Sequence, residues 1–523
     1  MQILLLGGLK QIRRWSSFRR TPQCPLHSRI QAQACRAASG AVKPPRPATK
    51  PAPARLRPFT DIPGPLAMPM LRHADLILPR IGSFHHSVSL GLLESLRERY
   101  GDLVWLPKAT RKRPALYIFD PNVMLEVYES KGIKPVRWEG SPLLEFKKKA
   151  ANKCPAHGSA RFQRSTWYRL GELSASGDRA TLNAALEMEA RRWALEALGM
   201  VVFGTRLGCL AGPALPEYES RLYCSGNTSA DKSIHCLTFA FLLEPPVAEW
   251  LVQCSADIAN GRYLVRNKAT LKKDSETFTN ALEVLDVHFS IMNIYLKKAK
   301  QKYENSGSPE QIFLEKLLPL KEKALPLVAD MFLAGVEPVA QTALSMLFKL
   351  SLHPAVQQRA LDESHWAAAT AAEPGARPPR PYAAAAAREA LRLYPATGGV
   401  VRRTVEPVGV GGYEVPAGVD IVLAHGATSK LQQHWARGEA FIPERWSKDC
   451  IDPLRASSAH PLTSVPFGQY CPASKIVYKM LSTLVSQLLG KHRLEWHGPP
   501  PSQVNTGVNR LEPPYYFVLE KAA

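Results

Sequence analysis

The feature that most constrains the fold is a long apolar segment, residues 323–361, with the sequence KALPLVADMFLAGVEPVAQTALSMLFKLSLHPAVQQRAL. Its apolar pattern predicts one very long helix with an internal proline, Pro338. The same kind of pattern predicts shorter helices for residues 89–101, 122–132, 182–204 and 383–395. The predicted fold is therefore mainly α.

Short strands are predicted between these helices. The segments DLVWLP, residues 102–107, and ALYIFDP, residues 115–121, alternate or run apolar over short lengths. Residues 408–426 form a strand region punctuated by glycine. Internal repeats of about 20 to 50 residues are absent from the sequence, so a solenoid is not expected. The sequence thus predicts a helical protein with a small β subdomain.

The composition indicates a globular protein. The chain has 523 residues, of which 45% are hydrophobic and 21% are charged, and it can bury one large core or a few domains. It contains no run of about 18 uninterrupted apolar residues, so no transmembrane helix is predicted. Nine cysteines are scattered without CxxC pairs, which argues against a disulfide framework or a structural zinc site. Reduced thiols in an intracellular compartment are expected.

The net charge of +22 is concentrated at the N-terminus, where residues 1–60 contain no Asp or Glu. Arginines accumulate there among Ser, Ala and Gln, and the first residues can form an amphipathic helix. This composition predicts a mitochondrial transit peptide that, with a Pro-rich linker, covers residues 1–57. A disordered basic tail is the alternative. A secretory signal is disfavoured because Lys10 and Arg13 follow the apolar run.

Charged side chains and one cysteine follow one another in the last third of the chain. Glu389 and Arg392 lie three residues apart on a predicted helix, where an acid and a guanidinium can meet. Arg445 follows in FIPERW, and Phe467 and Cys471 follow in PFGQYC. Taken in order, these motifs resemble the terminal signature of the cytochrome P450 family: an E-x-x-R helix, a P-E-R-W segment, and a Phe-Gly loop that delivers a cysteinate to haem iron.

Two further segments carry the same resemblance. DMFLAGVEPVAQT, residues 330–342, resembles the oxygen-binding helix of the family, and residues 192–210 are similar to a helix of its mitochondrial branch. The resemblance implies that residues 58–523 form one haem-thiolate monooxygenase domain with a long oxygen-side helix. It further implies haem b, iron protoporphyrin IX, as the cofactor, Phe467 in the haem loop, and Cys471 as the ligand of the iron.

A cysteine suits this role chemically. A cysteinate pushes electron density through the iron and favours O–O cleavage. The thiolate is stabilised by the metal charge, by backbone N–H donors and by the positive end of the helix predicted to begin near Pro472. The alternative is that Cys471 is only a small buried apolar residue, as free cysteines usually are.

The haem loop departs from the family pattern F-x-x-G-x-R-x-C-x-G. Only three residues separate Phe467 from Cys471, and the arginine that pairs with a haem propionate is absent. Trp167 matches the tryptophan of the family's W-x-x-x-R helix, but Gly171 replaces its arginine. Trp167 and Arg403 are therefore the expected partners of the haem, with Arg403 the best surviving propionate partner.

The oxygen-side helix departs from the family as well. Pro338 replaces the threonine that helps to protonate bound dioxygen, and a proline releases the carbonyl of Ala334 from the helical ladder. Glu337 remains as an acid able to relay protons, and Thr342, a turn later, is the expected substitute hydroxyl. The alternative for Glu337 is a polar contact with a neighbouring basic group.

The resemblance to the mitochondrial branch also implies partners. Electrons would come from a mitochondrial ferredoxin and its NADPH-dependent reductase, with the enzyme on the matrix side of the inner mitochondrial membrane surface. An acidic ferredoxin requires a basic face. Arg388 matches one docking position, and Lys475 and Lys479 are further candidates, although a solvated face explains each lysine as well.

Substrates of this branch are steroids and related lipids, so a largely apolar pocket and a steroid substrate are expected. Residues 82–104, GSFHHSVSLGLLESLRERYGDLV, resemble arthropod enzymes that hydroxylate ecdysteroid precursors.

Two other functions are considered beside the monooxygenase. One is a degenerate family member, or the product of a faulty gene model, that keeps the fold without competent haem; the short Cys471 loop, Gly171 and Pro338 favour it. The other is a basic nucleic-acid binder, which the concentration of charge in the leader disfavours.

Overall fold

The computed structural model describes residues 56–65, 90–110, 113–135, 179–204, 207, 276–306, 317, 319–320, 324–370, 382–447, 449–468, 471, 473–505 and 508–521. The helices are α1 (Leu90–Tyr100), α2 (Pro121–Glu129), α3 (Arg179–Phe203), α4 (Glu276–Ser306), α5 (Ala324–Ser351), α6 (Pro354–Thr370), α7 (Tyr382–Leu393), α8 (His425–Thr428) and α9 (Ser474–Leu489). Helices predominate among these residues, which confirms the mainly α class.

The strands are short and form several small sheets. They are β1 (Arg57–Pro58), β2 (Leu103–Thr110), β3 (Arg113–Ile118), β4 (Ile133–Pro135), β5 (Val400–Thr404), β6 (Val408–Val410), β7 (Tyr413–Val415), β8 (Asp420–Leu423), β9 (His492–Trp496), β10 (Gln503–Asn505), β11 (Asn509–Leu511) and β12 (Phe517–Lys521). The largest sheet has the order β2-β3-β8-β5-β4, and a smaller one has the order β1-β7-β6. The other two sheets pair β9 with β12 and β10 with β11.

Helix α5 is the centre of the hydrophobic core. Nearly all of its side chains are buried, and α3, α4, α6 and α7 pack against it. By length and composition this helix could cross a membrane, but 94% of its most apolar window is buried inside the protein. The other helices in the described ranges do not pass that test. The burial identifies α5 as a core helix, because an apolar surface of this size is stabilised by removal from water.

The structure corrects the prediction of one very long helix over residues 323–361. Helix α5 continues through Pro338 but ends at Ser351, and α6 begins at Pro354. A proline disfavours the helical conformation in the residue before it, here His353, yet it is well suited to the first position of a new helix. The proline that stops the helix is therefore Pro354, while Pro338 is accommodated inside it.

Helices α7 and α9 pack side by side in the C-terminal half. Small residues keep the surface of α7 flat, and four of its alanines are almost fully buried: Ala383, Ala386, Ala387 and Ala390. Both helices contribute to the same core cluster. This packing brings the helix that follows Cys471 against the helix that carries Glu389 and Arg392.

Arg57, the last residue of the predicted leader, contacts the turn between β6 and β7. The Arg57 backbone N–H donates to the carbonyl of Gly412, and its guanidinium lies 4.0 Å from the Tyr413 ring centroid. The rest of the predicted transit peptide and linker, residues 1–55, lies outside the described residues. The domain boundary after residue 57 therefore stays a prediction.

Candidate active site

Glu389, Arg392 and Arg445 meet in the interior, so the expected contact of Glu389 with Arg392 is present and Arg445 joins it. All three side chains are at most 1% exposed. The Glu389 carboxylate accepts two hydrogen bonds from Arg392, at 2.7 and 3.0 Å, and one from Arg445 Nε at 3.0 Å. The Trp446 indole and the Ile442 backbone N–H also donate to this carboxylate. A buried charge is tolerated only when it is paired and hydrogen-bonded in this way.

The two guanidiniums use their remaining donors to hold the loop that follows α8. Arg392 donates to the backbone carbonyls of Ser429, Gly438 and Ala440 at 2.6, 2.5 and 3.1 Å. Arg445 donates to the carbonyl of Arg437 at 2.7 Å. Burial lowers the pKa of Arg445, and Glu389 opposes this shift. Glu389, Arg392 and Arg445, called the Glu389 triad below, thus join α7 to residues 429–446 through contacts with the backbone.

A second set of contacts continues from the triad toward the cysteine loop. Arg392 lies 5.0 Å from the Trp435 ring centroid, and the Trp435 indole donates to Thr463 Oγ1 at 3.0 Å. The Thr428 hydroxyl donates to the Thr463 carbonyl at 2.9 Å. The chain segment that leads to Cys471 is therefore positioned by buried polar contacts.

His425 holds the same segment. Its Nδ1–H donates to the Leu462 carbonyl at 2.6 Å, because a carbonyl only accepts, and its Nε2 then accepts from the Tyr128 hydroxyl at 2.8 Å. Burial lowers the pKa of His425 to about 4, so this residue is neutral at physiological pH. Sequence reasoning did not select His425, since nothing in its neighbourhood indicates a partner 37 positions away.

Cys471 lies directly before α9 and is half-buried. The backbone N–H groups of Ala473 and Ser474 donate to its sulfur and lower its pKa, but burial outweighs them and raises the pKa of the thiol. A metal cation bound to the sulfur would lower the pKa of the thiol.

Phe467 and Gly468 form the turn before Cys471. Gly468 adopts a φ of +56°, a conformation that favours glycine, and its N–H donates to the Val465 carbonyl at 2.9 Å. The Phe467 ring packs against Tyr478 of α9. Residues 469, 470 and 472 lie outside the described part of the chain.

The donor chemistry of Cys471 fits a haem iron. Within the described residues, no cluster of three or more His, Cys, Asp or Glu side chains could hold a metal ion. A cysteine thiolate is one of the protein ligands that hold haem iron, so the sulfur of Cys471 suits that group.

Glu337 lies in a buried ion pair on α5. Arg191 of α3 donates to both carboxylate oxygens, at 2.6 and 3.0 Å, and Gln341 donates at 3.0 Å. Thr342, also proposed from sequence, donates its hydroxyl to the Pro338 carbonyl at 2.7 Å. Both side chains therefore have protein partners, and the polar contact considered as the alternative for Glu337 is present.

The ion pair is part of a larger network. Glu187, one helical turn before Arg191, accepts from Arg191 at 2.7 Å, from Gln341 at 3.0 Å and from Arg510 of β11 at 3.3 Å. The cluster contains two carboxylates and two guanidiniums. The pair Glu187 and Arg191, spaced i,i+4 on a predicted helix, was the available sequence signal for Arg191.

Arg402 and Arg403 lie on opposite faces of β5. Arg403 forms an ion pair at 2.6 Å with Asp420, the residue opposite it on the neighbouring strand β8. The Arg403 side chain is 28% exposed. Arg402 is 8% exposed, and its guanidinium lies 4.7 Å from the Tyr128 ring centroid. Arg402 is therefore the arginine on the side of Tyr128 and His425. Trp167, the other expected partner of the haem, lies outside the described residues.

Comparison with known proteins agrees with these motifs. The family model for cytochrome P450 matches residues 178–519, which is more than half of the chain. The chain therefore belongs to the cytochrome P450 family. Members of this family are haem-thiolate monooxygenases, so haem is the cofactor and monooxygenation is the activity class.

Several relatives carry mitochondrial names. The chain is 22% identical over 498 residues to "Probable cytochrome P450 12b2, mitochondrial" of Drosophila melanogaster, which covers 86% of this chain and 87% of that protein. It is 24% identical over 485 residues to "25-hydroxyvitamin D-1 alpha hydroxylase, mitochondrial" of Mus musculus, which covers 83% of this chain and 87% of that protein. "Probable cytochrome P450 301a1, mitochondrial" of Drosophila melanogaster is 22% identical over 512 residues. The match covers 89% of this chain and 87% of that protein.

The neutral state of His425 predicts a pH dependence of stability. Its folded pKa of about 4 lies below the unfolded value of about 6.5, so its contribution, roughly 3 kcal/mol, is complete above pH 6.5 and is lost as the pH falls toward 4. His288, with a pKa also near 4, acts in the same window. In this window the unfolded chain binds about one more proton at His425 than the folded chain, and this difference raises the slope of the unfolding free energy against pH. His425→Gln removes that contribution, so a smaller slope is expected.

Urea unfolding at a series of pH values between 7 and 4.5 measures this slope. His497→Gln is the control, because the His497 side chain is 50% exposed. An unchanged slope in His425→Gln would contradict the neutral, carbonyl-bound state of this histidine.

Proposed function

We propose that this chain is a mitochondrial haem-thiolate monooxygenase that hydroxylates a steroid or sterol-like lipid with dioxygen and electrons from a ferredoxin. The observation that carries the proposal is Cys471, whose sulfur accepts hydrogen bonds from two backbone N–H groups just before α9, the helix that packs against α7. The mitochondrial names of the relatives and the acid-free leader support the compartment.

Cys471 would hold the haem iron, and the bound haem supplies the activation of dioxygen. The protein contributes the orientation of the sulfur. The N–H groups of Ala473 and Ser474 fix the sulfur before α9, and the short turn at Phe467 and Gly468 brings the chain to it. The missing loop arginine leaves the propionate charge to other residues.

We assign the propionate contact to Arg402 and no longer to its neighbour Arg403. The guanidinium of Arg403 is paired with Asp420 on the other face of the sheet. Arg402 faces Tyr128, which binds His425, and His425 in turn holds the segment before Cys471. Its burial next to this segment suits a charge-assisted bond to a carboxylate. Trp167 remains a proposed second partner of the haem.

Glu337 and Thr342 are the proposed catalytic residues. Glu337 would hold a proton near bound dioxygen, with Thr342 supplying a hydroxyl in place of the threonine that Pro338 replaces. Each has to leave a present contact first, since Glu337 is bound by Arg191 and Thr342 by the Pro338 carbonyl. Proton delivery would then depend on the opening of these contacts.

The proposed partners are a mitochondrial ferredoxin with its NADPH-dependent reductase and the matrix side of the inner membrane. Lys475 and Lys479 are exposed on α9, and Arg388 lies beside them on α7. This positive face is complementary to an acidic donor. For the substrate, the mouse relative is named a 25-hydroxyvitamin D-1 alpha hydroxylase, and an ecdysteroid precursor is the more specific proposal for this chain.

A degenerate member of the family that lacks competent haem is the second candidate. The shortened loop before Cys471, Gly171 and Pro338 favour this alternative. The two candidates differ in one measurable property, thiolate ligation of iron.

Cys471→Ser is expected to abolish the thiolate spectrum. The full chain, loaded with hemin, reduced and exposed to carbon monoxide, should give the strongly red-shifted band of thiolate ligation, because Cys471 would supply the thiolate ligand of the iron. Cys450→Ser, the other described free cysteine, should leave the band in place. A band that survives Cys471→Ser, or none in the unmodified chain, would contradict the proposal.

Arg402→Gln is expected to increase the rate of hemin loss by about 10-fold or more, because a charge-assisted bond contributes about 1.5 to 3 kcal/mol. Transfer of hemin to apomyoglobin, followed by absorbance, measures this rate. Arg403→Gln is the matched control on the other face of β5, and its rate should stay within about threefold of the unmodified chain. The reverse order of the two variants would reject the assignment of Arg402.

A further inference from the structure

Two buried polar atoms beside the Glu187 and Glu337 carboxylates are unpaired. Gln341 Oε1 and Arg510 Nε are shielded from solvent, and neither has a hydrogen-bond partner among the residues that the structure describes. The Gln341 residue is only 1% exposed. A buried polar atom without a partner costs free energy. Each of these two atoms is therefore suited to a group that the protein itself does not supply at this place.

The orientation of the Gln341 amide is determined by its neighbours. Its Nε2 donates to Glu187 Oε1 and to Glu337 Oε1, both at 3.0 Å. A carboxylate only accepts hydrogen bonds, so the amide nitrogen has to face both acids and the amide oxygen has to face away from them. Rotation of the amide would place its oxygen against two anionic groups. The unpaired atom of Gln341 is thus an acceptor.

Arg510 of β11 supplies the matching donor. Its Nη1 donates to Glu187 Oε1 at 3.3 Å, the same oxygen that Gln341 binds. The Arg510 side chain is 24% exposed, but its Nε is buried. A guanidinium nitrogen donates and does not accept. One unpaired acceptor and one unpaired donor therefore belong to two side chains that share an anchor on Glu187.

The charges of this cluster select the kind of ligand. Glu187 and Glu337 balance Arg191 and Arg510, so the cluster has no net charge. An anionic ligand would face two carboxylates and the oxygen of Gln341, and an ammonium would leave the Arg510 donor unpaired. A hydroxyl both donates and accepts hydrogen bonds, and it can satisfy both atoms without the burial of a further charge. The chemistry favours an alcohol.

The two unpaired atoms lie beside the proposed catalytic carboxylate. Gln341 follows Glu337 by four residues on α5, so their side chains lie on the same helix face, one turn apart. Strand β11, which carries Arg510, packs against α5. A hydroxyl bound to Gln341 and Arg510 would therefore lie next to Glu337.

Building on the proposed function, we infer that Gln341 and Arg510 form a binding site for a hydroxyl group of the substrate. The hydroxyl donates to Gln341 Oε1 and accepts from Arg510 Nε–H, and it takes the place of a water that binds these atoms in the absence of substrate. A sterol that already carries a hydroxyl at the matching position is then preferred over one without it, because the second sterol would leave two buried polar atoms unpaired.

The first test measures the binding of three radiolabelled sterols to the full chain by equilibrium dialysis. The probes are cholestane, which has no hydroxyl, cholestanol, which has one on the ring, and the alcohol of cholestane with its hydroxyl at the end of the side chain. One of the two alcohols should bind about 10-fold more tightly than cholestane.

Two variants remove the two atoms separately. Gln341→Met removes the acceptor at similar length, and Arg510→Lys removes the Nε–H donor but keeps a cation beside Glu187. In both, the advantage of the alcohol should fall to within about threefold. Arg493→Lys, at an exposed arginine of β9, is the control and should keep the full advantage. Circular dichroism identifies the variants that retain the fold. An advantage that persists in Gln341→Met and Arg510→Lys, or equal binding of all three sterols to the unmodified chain, would overturn the inference.

The second test is a crystal structure of the chain with and without the preferred alcohol. An ordered water should bind Gln341 Oε1 and Arg510 Nε in the free chain, and the hydroxyl oxygen of the sterol should replace it in the complex. A water that stays in place when the sterol binds, or no bound oxygen in either structure, would overturn the inference. Failure of all three sterols to bind, or a missing thiolate band, would instead refute the proposed function, and the structure of the free chain would still decide whether the two atoms bind a hydroxyl.

Discussion

The buried Glu389 carboxylate is the interaction on which the C-terminal half of the structure depends. It satisfies two guanidiniums that are at most 1% exposed, and these in turn hold the backbone of residues 429–440. Removal of the carboxylate would leave two cations in a region without water, which is far more costly than loss of a surface ion pair. From Arg392 the contacts continue through Trp435 to Thr463 and the loop that carries Cys471. The chain segment around Thr463 is therefore held by contacts that begin at this buried charge.

Much of this arrangement could be predicted from the sequence. The spacing of apolar residues predicted α1, α2, α3 and α7 close to their observed bounds, because each buries apolar side chains in one of the hydrophobic clusters. The prediction of one helix over residues 323–361 was wrong in one respect. Apolar spacing continues across Leu352 and His353, but the backbone restriction imposed by Pro354 ends the helix there.

Other features could not be predicted from one sequence. The choice between Arg402 and Arg403 depends on which face of β5 is buried, and a shift of one residue in a strand reverses every side chain. The partners of Glu337 and His425 lie 146 and 37 positions away, on elements whose contact is set by packing. The direction of the pKa shift of the Cys471 thiol could not be predicted from the sequence either. Its N–H donors follow from the start of a helix, but the burial that outweighs them is a property of the folded chain.

The most direct test of this account is Glu389→Gln in the full chain, which keeps the shape of the side chain and removes its charge. The account predicts a loss of about 3 to 5 kcal/mol in the free energy of urea unfolding, because two buried guanidiniums lose their counter-ion. Glu444→Gln, an acid 40% exposed in the adjacent turn, should cost less than about 1 kcal/mol. Equal stability of Glu389→Gln and the unmodified chain would contradict the central role of this carboxylate.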